Sequence, residues 1–332
     1  MALLSSETPS VALSGLSARA TPADFAACRA LLRQGSKSFA AASLLLPRRV
    51  RAPAAALYGF CRMADDAIDL AQEPGAVAEL RRRLALAYAG APHDHPIDRA
   101  FSAVVLEHQL PRELVEALLE GFAWDAEGRR YPSLAELTAY AARVAGTVGA
   151  MMTVVMGARS PEALARACDL GVAMQLTNIA RDVGEDARNG RIYLPLHWLE
   201  EAGVDPLALV ARPSHSRALA AVIERLLGYA DILYVRAERG IPRLPPDCRA
   251  AIRAARLLYG EIGHVVARRG FDSVSGRAVV SGRRKLWLVL CAFFVGPGES
   301  SAAALAPALP ETQFLIEAAA LPAAPLGARG RR

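Results

Sequence analysis

The chain has few aromatic residues, few cysteines and no long uncharged run, and each shortage removes a class of protein. Aromatics make up 6% of 332 residues and are not interleaved with basic ones. With no helix-turn-helix, zinc-finger or RNP-like pattern either, no nucleic-acid partner is expected. The five cysteines, Cys28, Cys61, Cys168, Cys248 and Cys291, are scattered and form no C-x-x-C pair. That fits reduced thiols in a cytoplasmic protein. No uncharged run reaches the ~18 residues of a membrane-spanning helix; residues 144–158 and 286–298 come nearest, and glycine or proline interrupts both. The N-terminus lacks a charged segment followed by an apolar one, so no secretory signal is expected. G-x-x-x-x-G-K-[ST], H-E-x-x-H, G-x-S-x-G and G-x-G-x-x-G are all missing, so no motif points to the nucleotide, zinc-protease, serine-hydrolase or dinucleotide chemistries they serve.

What remains is a chain rich in alanine and leucine, 53% hydrophobic, with little strand-like alternation. The expected fold is all-α with an ample core. Its net charge of +6 suits an anionic membrane surface or a phosphorylated substrate. Much of the basic excess lies towards the C-terminal end, at Arg268, Arg269, Arg277, Arg283 and Arg284.

The chain is organised around Met174 to Pro195, MQLTNIARDVGEDARNGRIYLP. Gln175, Asn178, Asp182 and Asp186 recur at helical spacing and share one face, with Glu185 beside them. Two carboxylates about 6 Å apart repel by roughly 3 kcal/mol at an effective dielectric of about 20. Solvent, or a metal ion in a cleft, must supply the counter-charge. One such pair is ordinary on a solvated helix, but a second follows an apolar run at 53–60. There Tyr58, Arg62, Asp65 and Asp69 again share a face. Two stripes, each with an arginine nearby (Arg62, Arg181), suit divalent cations held by carboxylates and an anion such as diphosphate held by arginines. In the first motif Asp66 competes with Asp65, and helical phase favours Asp65.

Residues 1–20 read as a loose leader, 21–298 as one helical domain, and 299–332 as an Ala/Pro-rich disordered tail. Helices are expected from Thr21–Pro22 to about Gln34, from Pro53 through the first stripe, over 77–89, 97–107, 111–127, 134–156, 161–188, 196–202, 216–239 and 247–269, and finally within 274–294. Gly35-Ser36-Lys37-Ser38-Phe39 suits either a phosphate cradle or a helix junction capped by serine. Gly146 and Gly149 imply close packing or a bend. The loop with His93 and His95 reads as solvated, and the mixed-charge loop 125–131 as a cover for a site.

Several stretches together resemble the squalene/phytoene synthase family: GSKSF (35–39), LYGFCRMADDAID (57–69), RVAGTVG (143–149), QLTNIARDVGEDARNGRIYLP (175–195), then Tyr259, GFD (270–272), RAVVS (277–281) and RKL (284–286). The resemblance spans roughly residues 30–290. It implies an isoprenoid synthase-type helical bundle around a central cavity. The implied reaction condenses two geranylgeranyl diphosphates head to head, through a cyclopropylcarbinyl diphosphate, to phytoene, the first committed step of carotenoid biosynthesis. It further implies Asp65 and Asp69 on one side of a magnesium site, with manganese able to substitute, and Asn178, Asp182 and Asp186 on the other. Ser36, Lys37, Ser38, Tyr58, Arg62, Gln175, Arg181, Tyr259 and Arg277 would lie at diphosphate, and Phe39 at the cavity wall. No NADPH is expected. Expected partners are prenyl diphosphates, a peripheral membrane contact, and an upstream prenyl synthase or downstream desaturase. C15+C15 condensation to squalene or dehydrosqualene is the alternative within this chemistry, and a non-catalytic prenyl-ligand-binding helical protein the alternative outside it.

Overall fold

The computed structural model describes residues 20–70, 75–294 and 306–320, with the side chains of Asp69 and Leu70 outside that set. The expected leader, up to residue 19, also lies outside it. Among the described residues the fold is all-α and no strand occurs.

The N-terminal part comprises α1 (Pro22–Gly35), α2 (Lys37–Ser43), α3 (Arg48–Leu70), α4 (Ala76–Tyr88), α5 (Pro96–Glu107) and α6 (Arg112–Ala126). α1 begins where the sequence marks it: Thr21 and Asp24 form a reciprocal capping box, and Pro22 fills the first turn. Arg99 on α5 donates to buried Asp24 from Nε at 3.1 Å, bolting α1 to α5. Pro53 was expected to open the third helix. The helix instead starts at Arg48, in a turn whose amides at Val50 and Arg51 bond to the Pro47 carbonyl, and Pro53 is carried inside it.

One long helix expected over 134–156 is interrupted. α7 (Leu134–Ala141) passes through a π turn (Ala142–Gly146) into α8 (Thr147–Val155). A Cβ on Gly149 would sit 2.2 Å from the Ala167 carbonyl oxygen, and one on Gly171 would sit 2.2 Å from that of Ala145. The two glycines therefore let this segment lie backbone to backbone on α9 (Pro161–Arg188), which combines the packing and the distortion that Gly146 and Gly149 suggest.

α9 is the axis of the molecule. Ser160 caps its first turn, Pro161 opens it, and Gly190 at φ 77° turns the chain away after it. α7, α8, α12 (Arg217–Glu238) and α13 (Pro246–Arg268) pack around it, after the short α10 (Leu196–Glu201) and α11 (Pro206–Ala211). α14 (Gly282–Cys291) lies on α13 and touches α2.

The tail departs from its expected disorder over 306–320. There a 3-10 turn leads into α15 (Gln313–Ala320), which packs on α6, α8 and α9 with Leu315, Ile316 and Ala319 buried. Two buried arginines hold the approach to it. Arg166 donates to the Ala306 carbonyl at 3.1 Å and Arg236 to that of Pro307 at 2.6 Å, while Asp169 accepts from Arg236 at 3.0 Å. Alanine and proline content alone hides this, because the holding charges come from α9 and α12.

Candidate active site

The packing leaves an apolar cavity of about 310 Å³ beside α9. One face of α9 runs along it through Ala163, Arg166, Ala167, Leu170, Met174 and Asn178. The lining turns polar at the C-terminal end of its α9 face, with Gln175 and Asn178, and Tyr58 and Cys61 of α3 also line it. Phe39 of α2 also lines it; its ring lies 5.0 Å from that of Tyr259 on α13 and 6.5 Å from that of Tyr58. Phe39, Tyr58 and the α9 pair Gln175 and Asn178, from three separate helices, thus border one space.

The 35–39 segment is a serine-capped helix junction. Ser36 caps α2, accepting from the Phe39 amide at 3.2 Å, and its hydroxyl also bonds Tyr259. Burial pushes the Tyr259 phenol up to about 12, with Arg181 and Ser36 opposing. The Tyr58 hydroxyl packs against Gly35 so closely that a Cβ there would meet it at 2.1 Å. Lys37 is exposed on the first turn of α2, next to half-buried Ser38.

Beyond the cavity's polar end the acidic stripe continues on α9. Both Asp182 oxygens are clasped by arginines. Arg181 approaches in a two-pronged pair, with its Nε at 2.8 Å. Arg277 approaches through Nε at 2.9 Å and Nη2 at 3.1 Å. Arg277 is delivered by a built loop. Gly270 (φ 65°) closes α13, and Asp272 accepts the amides of Val274 and Ser275, each at 2.9 Å. The Ser273 carbonyl takes the Gly184 amide at 3.0 Å, and a Cβ on Gly184 would collide with Val274. Gly184 is the docking point that brings Arg277 to the stripe. Glu185, half exposed, lies 3.8 Å from Arg277.

On α3, Arg62 pairs with Asp66 at 2.6 Å and with Asp65 at 3.6 Å. Asp69 stands on the last turn of α3, and its side chain lies outside the described residues.

Asp125, at the end of α6, is a residue that the motif reading missed. It accepts hydrogen bonds from Tyr140 at 2.7 Å and Tyr193 at 2.8 Å. Burial raises its pKa to about 6 against those two bonds, and the charge of Asp65 adds to the rise. Asp186 is pushed up to about 7 by burial, then by Asp182 and Glu185, with Arg191 opposing and Asp125 adding a smaller push. Asp125 therefore lies electrostatically between the two stripes. It has no acidic partner at helical spacing, so only the tyrosines folding around it reveal it. The 125–131 loop is anchored rather than open: Tyr131 is fully buried against Tyr140 and Tyr193, and Arg129 stacks over Trp124 at 3.9 Å. His95 caps α5, with its Nδ1 3.4 Å from Asp98.

The donor set is all oxygen and mostly acidic; burial first, and neighbouring carboxylates second, raise Asp125 and Asp186, and a hard cation would relieve that cost. Among the described residues no three acidic, histidine or cysteine side chains converge as a closed metal cage. Magnesium does not require one, since it binds through one or two carboxylates with phosphate oxygens and water. The residues fit a cation that arrives with a diphosphate.

The squalene/phytoene synthase family model matches residues 32–284, and the chain belongs to that family. A phytoene synthase of Rhodobacter capsulatus is 56% identical over 271 residues, covering 80% of each chain. One of Cereibacter sphaeroides is 54% identical over 315 residues, 90% of this chain and 88% of the relative. Among solved structures, a dehydrosqualene synthase in complex with ligand superposes with a TM-score of 0.77 at 32% identity, covering 82% of this chain and 96% of that one. A squalene synthase from Alicyclobacillus acidocaldarius superposes at 0.67 with 26% identity, covering 75% and 95%.

Proposed function

We propose that this chain is a prenyltransferase that condenses two geranylgeranyl diphosphates head to head, through a cyclopropylcarbinyl diphosphate, to phytoene. One observation carries the reading: along α9 an apolar cavity gives way, one helical turn beyond its lining residue Asn178, to a carboxylate clasped by two arginines. Two relatives above 50% identity, both phytoene synthases, support the same reaction.

In this reading Asp65 and Asp69 hold divalent cations from α3, and Asn178, Asp182 and Asp186 hold them from α9. Magnesium suits these hard oxygen donors, and manganese can replace it. Held there, such cations would supply charge neutralisation that makes diphosphate a competent leaving group. Arg62, Arg181 and Arg277 leave their carboxylates for phosphate oxygens as substrate enters, which frees Asp182 for a cation. Ser36, Lys37, Ser38, Tyr58, Gln175 and Tyr259 orient the diphosphates. Phe39 and the apolar walls keep water from the carbocation left behind. The last step releases a proton to the departed diphosphate or an ordered water, and no NADPH is consumed.

The exposed face of α14 supports peripheral membrane docking: Leu286, Trp287, Leu290 and, just beyond the helix, Phe294 are exposed beside Arg283, Arg284 and Lys285. Among the described residues no helix is long and apolar enough to cross a membrane.

The test offers the chain C15 and C20 diphosphates, separately and together, with magnesium. C40 hydrocarbon from the C20 substrate is expected, and Asp65→Asn and Asp182→Asn each lower turnover by roughly a hundredfold or more with unchanged circular dichroism. Normal turnover in either variant would remove that residue from the metal site. Product from the C15 substrate alone would favour the squalene-type reaction, in keeping with the dehydrosqualene synthase fold match.

A further inference from the structure

The cavity is a measurable length. Its α9 face runs from Asn178, at the polar end, to Ala163, and at the helical rise that span is about 22 Å. An extended prenyl chain advances about 1.25 Å per bond, so a C20 chain reaches about 19 Å and a C15 chain about 14 Å. With the first carbon level with Asn178, Ala167 falls at about 16 Å. A C15 tail ends before Ala167, whereas a C20 tail must pass it and stops short of Ala163.

Ala167 is built to be passed. It keeps accessible surface although its chain neighbours Arg166 and Cys168 are buried, and that surface faces the cavity. Its backbone cannot retreat, because its carbonyl presses on Gly149. Beyond it the floor is fixed. Arg166 is tied to the Ala306 carbonyl, and Gly240 lies so close that a Cβ there would sit 2.4 Å from the Arg166 Cβ.

We infer that Ala167 is the chain-length gauge of the cavity: its methyl-sized side chain admits the fourth isoprene unit, and any larger side chain there excludes it. The inference rests on the prenyl-condensing reading. Ala163, one helical turn beyond, bounds the end of the cavity without gating that unit.

The test uses the full chain with magnesium and equal C15 and C20 diphosphates, comparing wild type with Ala167→Val, Ala167→Leu and Ala163→Leu. Binding of unreactive thiolodiphosphate analogues of both lengths is measured in parallel. The Ala167 variants should lose C20 relative to C15 by roughly tenfold or more in kcat/KM, valine less than leucine. The analogue affinities should shift in the same ratio, and Ala163→Leu should shift the ratio less. An unchanged ratio in Ala167→Val, in products or in binding, would overturn the gauge, as would an equal shift in Ala163→Leu. If Ala167→Leu does not fold, the valine variant and the analogues decide. A wild type that makes no C40 hydrocarbon would defeat the condensation reading, while the analogue ratio would still report on the gauge.

Discussion

Asp182 and Asp186 stand one helical turn apart and meet opposite surroundings. Asp182 has an arginine on each side, whereas burial and neighbouring carboxylates push Asp186 up to about 7. Asp125 behaves like Asp186, with a pKa raised to about 6. Both groups titrate near 4 in the unfolded chain, so between about pH 4 and 7 the folded state binds more protons. Their contribution to stability is therefore full below about pH 4 and is lost as pH rises through 6 and 7. Asp24 and Glu261 shift the other way, to about 2, so their contribution is lost only in acid below about pH 4. Thermal melts of the cation-free protein should accordingly show Tm falling from pH 5 to 8, with magnesium and diphosphate flattening that decline. A Tm that rises or stays level without cation would contradict the assignment of uncompensated carboxyls.

At the scale of elements, the sequence exposes whatever is encoded locally. The bounds of α9 follow from Ser160, Pro161 and the Asn189–Gly190 turn, and the two stripes follow from helical period. What stays hidden depends on partners distant in sequence. α15 is ordered by side chains of α9 and α12, Asp125 by tyrosines of α7 and of the 189–195 segment, and the Arg277 loop by the missing Cβ of Gly184. The π turn before α8 has no signature beyond its glycines. Gly149 tests this level. Gly149→Ala puts a methyl into the Ala167 carbonyl, so α8 must move off α9 at a cost of about 1–3 kcal/mol. Denaturant unfolding should show that loss, and a variant as stable as wild type would mean the close approach is not obligatory.

Over the whole molecule, charge, cavity and surface line up. The acidic and arginine-rich cluster begins one helical turn beyond Asn178 of the cavity lining, the apolar length runs along α9, and the exposed apolar and basic residues of α14 flank the same α2 and α13 that carry Phe39 and Tyr259. A long hydrocarbon product would leave most readily into lipid beside such a surface. Flotation with anionic liposomes should recover the protein at low salt and release part of it at high salt, and Trp287→Ala with Phe294→Ala should weaken recovery. No binding at low salt would remove the membrane from the account.

The most direct measurement is of the product itself. Purified chain is incubated with geranylgeranyl diphosphate and magnesium, with and without NADPH, and the hydrocarbons are separated by chromatography. Two C20 units joined head to head, with a final proton loss, give a C40 hydrocarbon with a triene core in equal yield either way. Hydrocarbon that formed only with NADPH, and with a saturated centre, would contradict the account and put a squalene-type reaction in its place.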